Sequence, residues 1–319
     1  MAMPDSGNPI GMDQLNVEFE RYEGTLISID KAEKGVYGSI NQSSSSKPDG
    51  ERPNSLSEWY SYNHSATSGW SPSKSLQFDG VNDWARMTGS SYANICQIFD
   101  SGGTIAFAFQ CTGTTSYSNQ YLWQGAWGGG WNWLLQCRDF SSGDFQLRFR
   151  HDFSGNNPTS EASTSSGQRP FETNKWYFVC LTYDNGSTSN KPRWYYGDYA
   201  GTSLTSVGSS PYMVTTGTGT KRSMSAQYPA ISGGKGQVLR PLKGYVTMVG
   251  MWSDVLTSSE VNTLWNSGDT YKFSDHSNNL LAFHDMASLS GTTISPETGG
   301  SGYTIALTNG ASQSTTIPS

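Results

Sequence analysis

Three groups of side chains in this chain could do chemistry. Asp79, Asn82 and Asp83 offer three hard oxygen donors within five residues, the ligand type that Ca2+ gathers in sets of six to eight. The same residues are also ordinary turn formers, since Asp and Asn side chains bond their own backbone two residues on. Trp127 and Trp131 flank Gly128, Gly129 and Gly130. An indole beside a glycine loop can stack on a sugar ring and donate its N–H, or it can pack into a sheet. Arg148, Arg150 and His151 form a polar stripe beside Phe145, Leu147 and Phe149. That stripe suits an acidic glycan, or is one solvated face of a strand.

Other chemistries find little support. Retaining glycoside hydrolysis needs two carboxyl groups about 5–5.5 Å apart, and no run with alternating carboxylates on one strand face occurs. Glu161, Glu172, Glu260 and Glu297 stand alone in sequence, and Asp139 and Asp144 are separated by a turn. The four histidines, His64, His151, His276 and His284, lie far apart with no serine or cysteine nucleophile motif beside them. Neither Gly128–Gly130 nor Gly233–Gly234 opens a helix with Lys-Ser/Thr, so neither is a phosphate loop. The cysteines, Cys96, Cys111, Cys137 and Cys180, form no C-x-x-C pair, which argues against zinc and for reduced, buried thiols. No enzyme activity, and no cofactor besides the Ca2+ alternative, is expected.

The elements that must position these groups are mostly strands. Alternation of Phe145, Leu147 and Phe149 with Gln146, Arg148 and Arg150 is a half-buried strand signature. Residues 104–111, 120–125, 131–138, 175–184, 192–199 and 242–252 are further strand candidates, with late strands at 280–283 and 303–307. Residues 201–220 are rich in Gly, Ser and Thr and read as a long loop. One helix interrupts the pattern: Thr257 and Glu260 have capping-box spacing ahead of Val261, Leu264 and Trp265. In 319 residues, 13% are aromatic, including 11 Trp and 17 Tyr, and only 14% are charged. A disordered chain lacks that much aromatic surface to bury, so the expectation is an all-β sandwich of two antiparallel sheets.

The first 65 residues differ. They hold ten Asp/Glu and five Lys/Arg, so −5 of the net −6 lies there and −1 in the remainder. The near-neutral remainder argues against electrostatic binding of nucleic acid or of an anionic membrane. No apolar run approaches the length of a membrane span, and Met1-Ala2-Met3-Pro4-Asp5 lacks the basic start and apolar core of a signal peptide. Residues 8–20 read as a short helix with Leu15 and Phe19 four apart, and Ser28 caps a second before Asp30 and Lys31. Residues 42–54 read as a linker. Ser55 and Glu58 repeat the capping-box spacing ahead of Trp59, Tyr60 and Tyr62. That aromatic segment is too apolar to sit free in water and should dock on the large domain or on another protein.

Five motifs in one order resemble the laminin-G-like, concanavalin-A-like jelly-roll family. They are Ser75-Leu76-Gln77-Phe78-Asp79-Gly80-Val81-Asn82-Asp83, Thr104-Ile105-Ala106-Phe107-Ala108-Phe109, Trp176 to Asp184, Leu242 to Val246, and Leu256 to Gly268. The resemblance covers roughly residues 74–310 and implies a jelly roll, whose functional sites are grafted and not fixed by the fold.

The front end resembles small modules of tailed-phage virion proteins, through Pro4 to Phe19, Ile27 to Gly38 and Ser55 to Tyr60. Gly11 departs from the serine usual there, Asn8-Pro9 adds a residue, and the 42–54 stretch is an insertion. Asn279 to Met286 and Gly300 to Ala311 are similar to segments of marine-phage appendage proteins. Together the resemblances imply a virion component. Residues 1–65 would attach to other virion proteins through Ile10, Leu15, Phe19, Trp59 and Tyr60. Residues 66–319 would display a jelly roll toward host-surface polysaccharide, with Trp127, Trp131, Arg148 and Arg150 as glycan-binding candidates. The resemblance further implies a homo-oligomer, a trimer being common among such appendages. A free carbohydrate-binding module is the alternative reading, and a polysaccharide hydrolase the third.

Overall fold

The computed structural model describes residues 14–16, 19, 26, 28–33, 56–59, 72–125, 132–184, 191–198, 204–206, 212–220, 228–233, 240–267 and 279–318. The chain divides into two compact units, one of residues 1–71 with 263–272, the other of residues 72–262 with 273–319.

In the first unit, the described residues include a helical turn at 14–16, helix α1 (Ile29–Glu33) and a 3-10 turn (Leu56–Trp59). The Phe19 amide donates to the Leu15 carbonyl at 3.2 Å, and the Ala32 amide to the Ser28 carbonyl at 2.9 Å, so one turn of the helix expected at 8–20 is described, the rest lying outside the described residues, and a short helix follows Ser28. Phe19 meets Trp59 edge-to-face with ring centroids 5.5 Å apart.

The second unit is a sandwich of two antiparallel sheets. Its strands begin with β1 (Ser75–Asp79), β2 (Trp84–Met87), β3 (Gly103–Cys111), β4 (Asn119–Gln124), β5 (Trp133–Ser141), β6 (Asp144–His151) and β7 (Thr159–Glu161). Next come β8 (Phe171–Glu172), β9 (Trp176–Tyr183), β10 (Arg193–Asp198), β11 (Thr205–Ser206), β12 (Tyr212–Thr215) and β13 (Ala230–Ile231). β14 (Lys243–Trp252), β15 (Leu280–His284), β16 (Leu289–Ser290), β17 (Thr293–Ile294), β18 (Ile305–Thr308) and β19 (Ser312–Ser314) complete the set.

The smaller sheet runs β11-β10-β9-β3-β14-β1-β19, with β15 also on β14. The larger runs β12-β7-β6-β5-β4-β13-β2-β18-β17-β16, with β8 also on β6. The chain crosses between the sheets several times, with β1, β3 and β14 in the smaller and β2, β4 and β13 in the larger, while β4–β8 stay together in the larger, and the all-β expectation holds. The stretch expected to be one long loop at 201–220 instead carries the short strands β11 and β12, which extend one edge of each sheet. Gly/Ser/Thr composition hid them, because two- to four-residue edge pairings depend on the neighbour strand and not on local propensity.

The core lies between the sheets. Ile105, Phe107 and Phe109 of β3 and Val179 and Leu181 of β9 face Trp123, Trp133, Leu135, Leu147 and Phe149 of the larger sheet. Trp194 Nε1 donates to Ser160 Oγ at 3.2 Å, tying the smaller sheet to the larger. Helix α2 (Tyr92–Cys96) ends against β5, where Trp133 Nε1 and Asn132 Nδ2 donate to the carbonyls of Ile95 (3.1 Å) and Cys96 (2.7 Å). Helix α3 (Ser258–Ser267) begins beside the opposite face of the smaller sheet, where Ser258 Oγ lies 3.0 Å from the Tyr195 hydroxyl.

Candidate functional site

The larger sheet has one face in the core and one turned away from it. Strand pairing lays out the second face in rows. One row is Thr159, Arg150, Leu134, Gln124, Ala230, Arg86 and Ala306. The next is Glu161, Arg148, Gln136 and Tyr121, followed by Gln146, Arg138 and Asn119. Directly paired residues point to the same side, so this surface is dense in arginine and amide side chains.

It is not a solvated face. Gln124 and Gln146 are fully buried, Gln136 is 4% exposed, and Arg86, Arg148 and Arg150 are half-buried. Burial pulls the Arg150 guanidinium below its ordinary pKa, because removal from water penalises the charged form. Of the two readings of the stripe beside Phe145, Leu147 and Phe149, the solvated face is therefore corrected: the protein's own atoms enclose much of the even-numbered side of β6.

Arg148 is held in place. Its Nε and Nη2 donate to Glu161 Oε1 at 3.2 and 2.5 Å, and Gln146 Nε2 donates to Glu161 Oε2 at 2.7 Å and to the Gln168 carbonyl at 3.0 Å. Glu161, isolated in sequence, thus becomes the hub that fixes one arginine. Arg138 is likewise paired, to Asp139 at 2.7 Å from both Nε and Nη2. Arg240 bonds Asn119 and lies 6.0 Å from the Tyr121 ring centroid.

Arg86 and Gln124 behave differently. Neither the amide nitrogen nor the oxygen of Gln124 has a hydrogen-bond partner, and neither does the buried Arg86 Nε. The Arg86 guanidinium instead lies over two rings, 4.8 Å from the centroid of Tyr228 and 5.4 Å from that of Trp84. Tyr228 is itself propped by Tyr92, with centroids 4.5 Å apart. Gln124 is followed by Gly125, where a methyl group would run into the Trp133 indole.

Trp127 and Trp131 fall outside the described residues, as do Ile10 and Tyr60. Trp123 and Trp133 are core residues. Leu15 and Trp59 are fully buried and Phe19 is 6% exposed. These three side chains are enclosed by their own chain, so an attachment surface in the first unit would be built on them and not from them.

At the β1–β2 turn, one carboxylate oxygen of each aspartate among the calcium candidates is used by backbone, while the buried Asp83 Oδ1 has no hydrogen-bond partner. Asp79 Oδ1 accepts from the amides of Val81 (2.7 Å) and Asn82 (3.3 Å), and Asp83 Oδ2 accepts from Asp79 (2.9 Å). Asp83 is 4% exposed, and burial raises its carboxyl pKa. Among the described residues no three His, Cys, Asp or Glu side chains gather as a metal site.

One buried constellation has catalytic residue types. His151 Nε2 lies 3.3 Å from Asp100 Oδ1 and 3.2 Å from Asn132 Oδ1, near Cys96. The Cys96 thiol, however, is pushed up to about 12 by burial and by the charge of Asp100. A nucleophilic cysteine needs the opposite shift. Asn132 and His151 serve instead to anchor the end of α2 and the turn after it. All four cysteines are buried and none forms a disulfide.

No family model and no curated protein sequence matches the chain. Among solved structures, a candidate carbohydrate binding protein from Bacteroides ovatus is similar at 18% identity, covering 80% of this chain and 61% of that one, with a TM-score of 0.47. Mouse laminin α1 domains LG4-5 are similar at 14% identity over 58% of this chain and 44% of theirs, TM-score 0.36. Tailspike protein 2 of bacteriophage CBA120, in its enzymatically active domain, is similar at 10% identity over 64% of this chain and 28% of that one, TM-score 0.43. The chain therefore spans less than two thirds of each of these relatives. All three scores lie below 0.5, and the two sheets themselves define the fold as a jelly roll of the laminin-G and concanavalin-A type.

Proposed function

We propose that this protein is a glycan-binding jelly roll carried on a tailed-phage virion, with the outward face of the larger sheet as its binding surface. The observation that carries the glycan reading is the accessible part of that face: half-buried Arg86, Arg148 and Arg150 beside the half-buried rings of Tyr121 and Tyr228. Sugars demand that combination, because each ring presents hydroxyl donors and acceptors around an apolar face that packs on aromatics. The virion reading rests on the sequence resemblance of residues 4–60 to phage virion modules. In this reading residues 1–65 contact other virion proteins, the assembled form is a homo-oligomer, and the domain binds without catalysing a reaction.

Gold-labelled antibody against the full chain, applied to purified phage particles encoding it, is expected to decorate the tail, fibre or capsid surface in electron micrographs. Particles that carry none of the chain would overturn the virion reading. A glycan array probed with the full-length protein tests the binding reading separately. The same face supports a second reading, a free carbohydrate-binding module, in which the array gives binding while the particles stay unlabelled.

A further inference from the structure

Two of the four cysteines meet inside the sandwich. Cys111 ends β3 of the smaller sheet and Cys137 lies within β5 of the larger. Both are fully buried members of the core. Gln120 of β4 locates one against the other. It is the direct cross-strand partner of Cys137, so those two side chains share a face. From the other sheet, Cys111 Sγ reaches to 3.9 Å from Gln120 Oε1 and 3.5 Å from the Gly113 carbonyl. The two thiols also hydrogen-bond each other. That bond holds the Cys111 thiol below its ordinary pKa, while burial pushes the Cys137 thiol up.

The sheets are stitched together at this end. Gln120 Nε2 donates to the Gly113 carbonyl at 2.7 Å, and its Oε1 accepts from the Lys243 amide at 2.8 Å. One side chain of the larger sheet thus reaches the backbone just after β3 and at the start of β14. Sulfurs already in hydrogen-bond contact need only a short move to the about 2.05 Å of a disulfide. The other two cysteines lack this arrangement. Burial and Asp100 shift the Cys96 thiol at the end of α2, and burial alone shifts that of Cys180, with no thiol acting on either. Cys180 also points to the opposite side of β9 from the core residues Val179 and Leu181.

We propose that Cys111 and Cys137 form a stabilising disulfide across the two sheets when the chain folds beside a small disulfide of the oxidised-glutathione type. Exchange takes place in the open chain, before the sheets enclose the thiols, so no path into the folded core is needed. The Cys111 thiolate attacks one sulfur of the small disulfide and displaces a first small thiolate. The Cys137 thiolate then attacks the Cys111 sulfur of the mixed disulfide and displaces a second. Both cysteine protons end on the released thiols. Two protein thiols are oxidised by two electrons in all, and one small disulfide is reduced to two thiols. Exchange samples every pairing of the four cysteines, and folding retains the pair that native packing holds in contact. Closure of the core then protects the bond, because reduction requires a thiolate to reach a sulfur.

The test uses the full-length chain, reduced and unfolded in guanidinium. It is refolded by dilution into mixed oxidised and reduced glutathione, and in parallel into dithiothreitol. Remaining thiols are alkylated in guanidinium and the peptides mapped by mass. Alkylation is expected on Cys96 and Cys180 only, with a linked peptide pair containing Cys111 and Cys137. The linked protein should keep the near-ultraviolet circular dichroism of the reduced one. It should melt on the order of 10 °C higher and resist dithiothreitol until denaturant is added. Cys137→Ala should lose both the linked pair and the upward shift; the mapping reads the natural chain directly, so poor folding of this variant leaves the test intact. Four alkylated cysteines, or a bond that includes Cys96 or Cys180, overturns the inference. So does a 111–137 bond confined to chains without the native spectrum, or a linked protein that melts no higher than the reduced one.

Discussion

Single side chains in this fold carry consequences that pH can read. His284 is fully buried on β15, its Nε2 donating to the Tyr303 carbonyl at 2.9 Å, while Nδ1 has no partner. Burial lowers its pKa to about 4, against an ordinary value of 6.5. The unfolded chain therefore binds a proton between these values that the folded chain refuses, so stability is full above about 6.5 and falls as pH drops toward 4. The shift corresponds to a loss on the order of 3 kcal/mol across that window. His284→Gln retains a donor for Tyr303 and cannot titrate, so urea melts of the variant should lack this part of the acid dependence. Glu161 makes a second residue-scale test. Its carboxylate is 3% exposed and holds Arg148, and Glu161→Gln should destabilise by about 3 kcal/mol, because one buried charge is left unbalanced. Neither effect was legible in sequence. His284 stands in an unremarkable apolar run, and Glu161 lies 13 residues from Arg148 with a loop between. Contacts between strands arise from register, which no local pattern encodes.

Elements were far more legible, and the reason is the range of the forces that form them. The Thr257–Glu260 capping box is written in four adjacent residues, and α3 starts there as expected. Glu260 Oε2 accepts from both the amide and the hydroxyl of Thr257 at 2.7 Å, and Thr257 Oγ1 accepts from the Glu260 amide at 3.3 Å. Thr257→Ala and Glu260→Ala should each cost about 1 kcal/mol. Their double variant should cost less than the sum, since both delete one reciprocal pair; additive thermal shifts would mean the box contributes nothing as a unit. The strands β3, β6, β9 and β14 were legible too, because alternation or continuous apolarity marks them. β9 is buried at every position, so its apolar run is unbroken where a one-sided strand would alternate. β14 hides a surprise: its register slips between Thr247 and Gly250, with Met248 at a φ of 52°. Nothing in Lys243–Trp252 announces this left-handed methionine. The bulge shifts the pairing with β3, so that Val246, Val249 and Met251 all reach the core. The solvated-face reading of β6 fails for a similar reason, since Gln146, Arg148 and Arg150 look solvated in sequence, while the structure buries Gln146 and half-buries both arginines.

For the molecule as a whole, the placement of charge decides how it can recognise a partner. Outside residues 1–65 the chain carries a net charge of only −1, and on the proposed surface Arg148 and Arg138 are already paired with Glu161 and Asp139. Long-range attraction to an anionic polymer needs a cluster of unpaired cations, whose effect fades once the ionic strength shortens the Debye length to a few ångströms. In the proposed reading, recognition instead rests on the half-buried Arg86 guanidinium against two rings. Contacts shielded from bulk water are screened far less than exposed ones. Binding of an acidic oligosaccharide to the full-length protein should therefore weaken by no more than about threefold between 0.05 and 0.5 M salt, with the change expressed mainly in the association rate. A steeper fall would mean that many exposed cations share the work, which would move the site away from Arg86 and toward charged residues at the loop tips. A flat response coupled to loss of binding in Arg86→Gln would show the opposite: a neutral domain that selects an anion by shape and a single buried charge, and so can approach a polyanionic cell surface without adhering to every anionic polymer it meets.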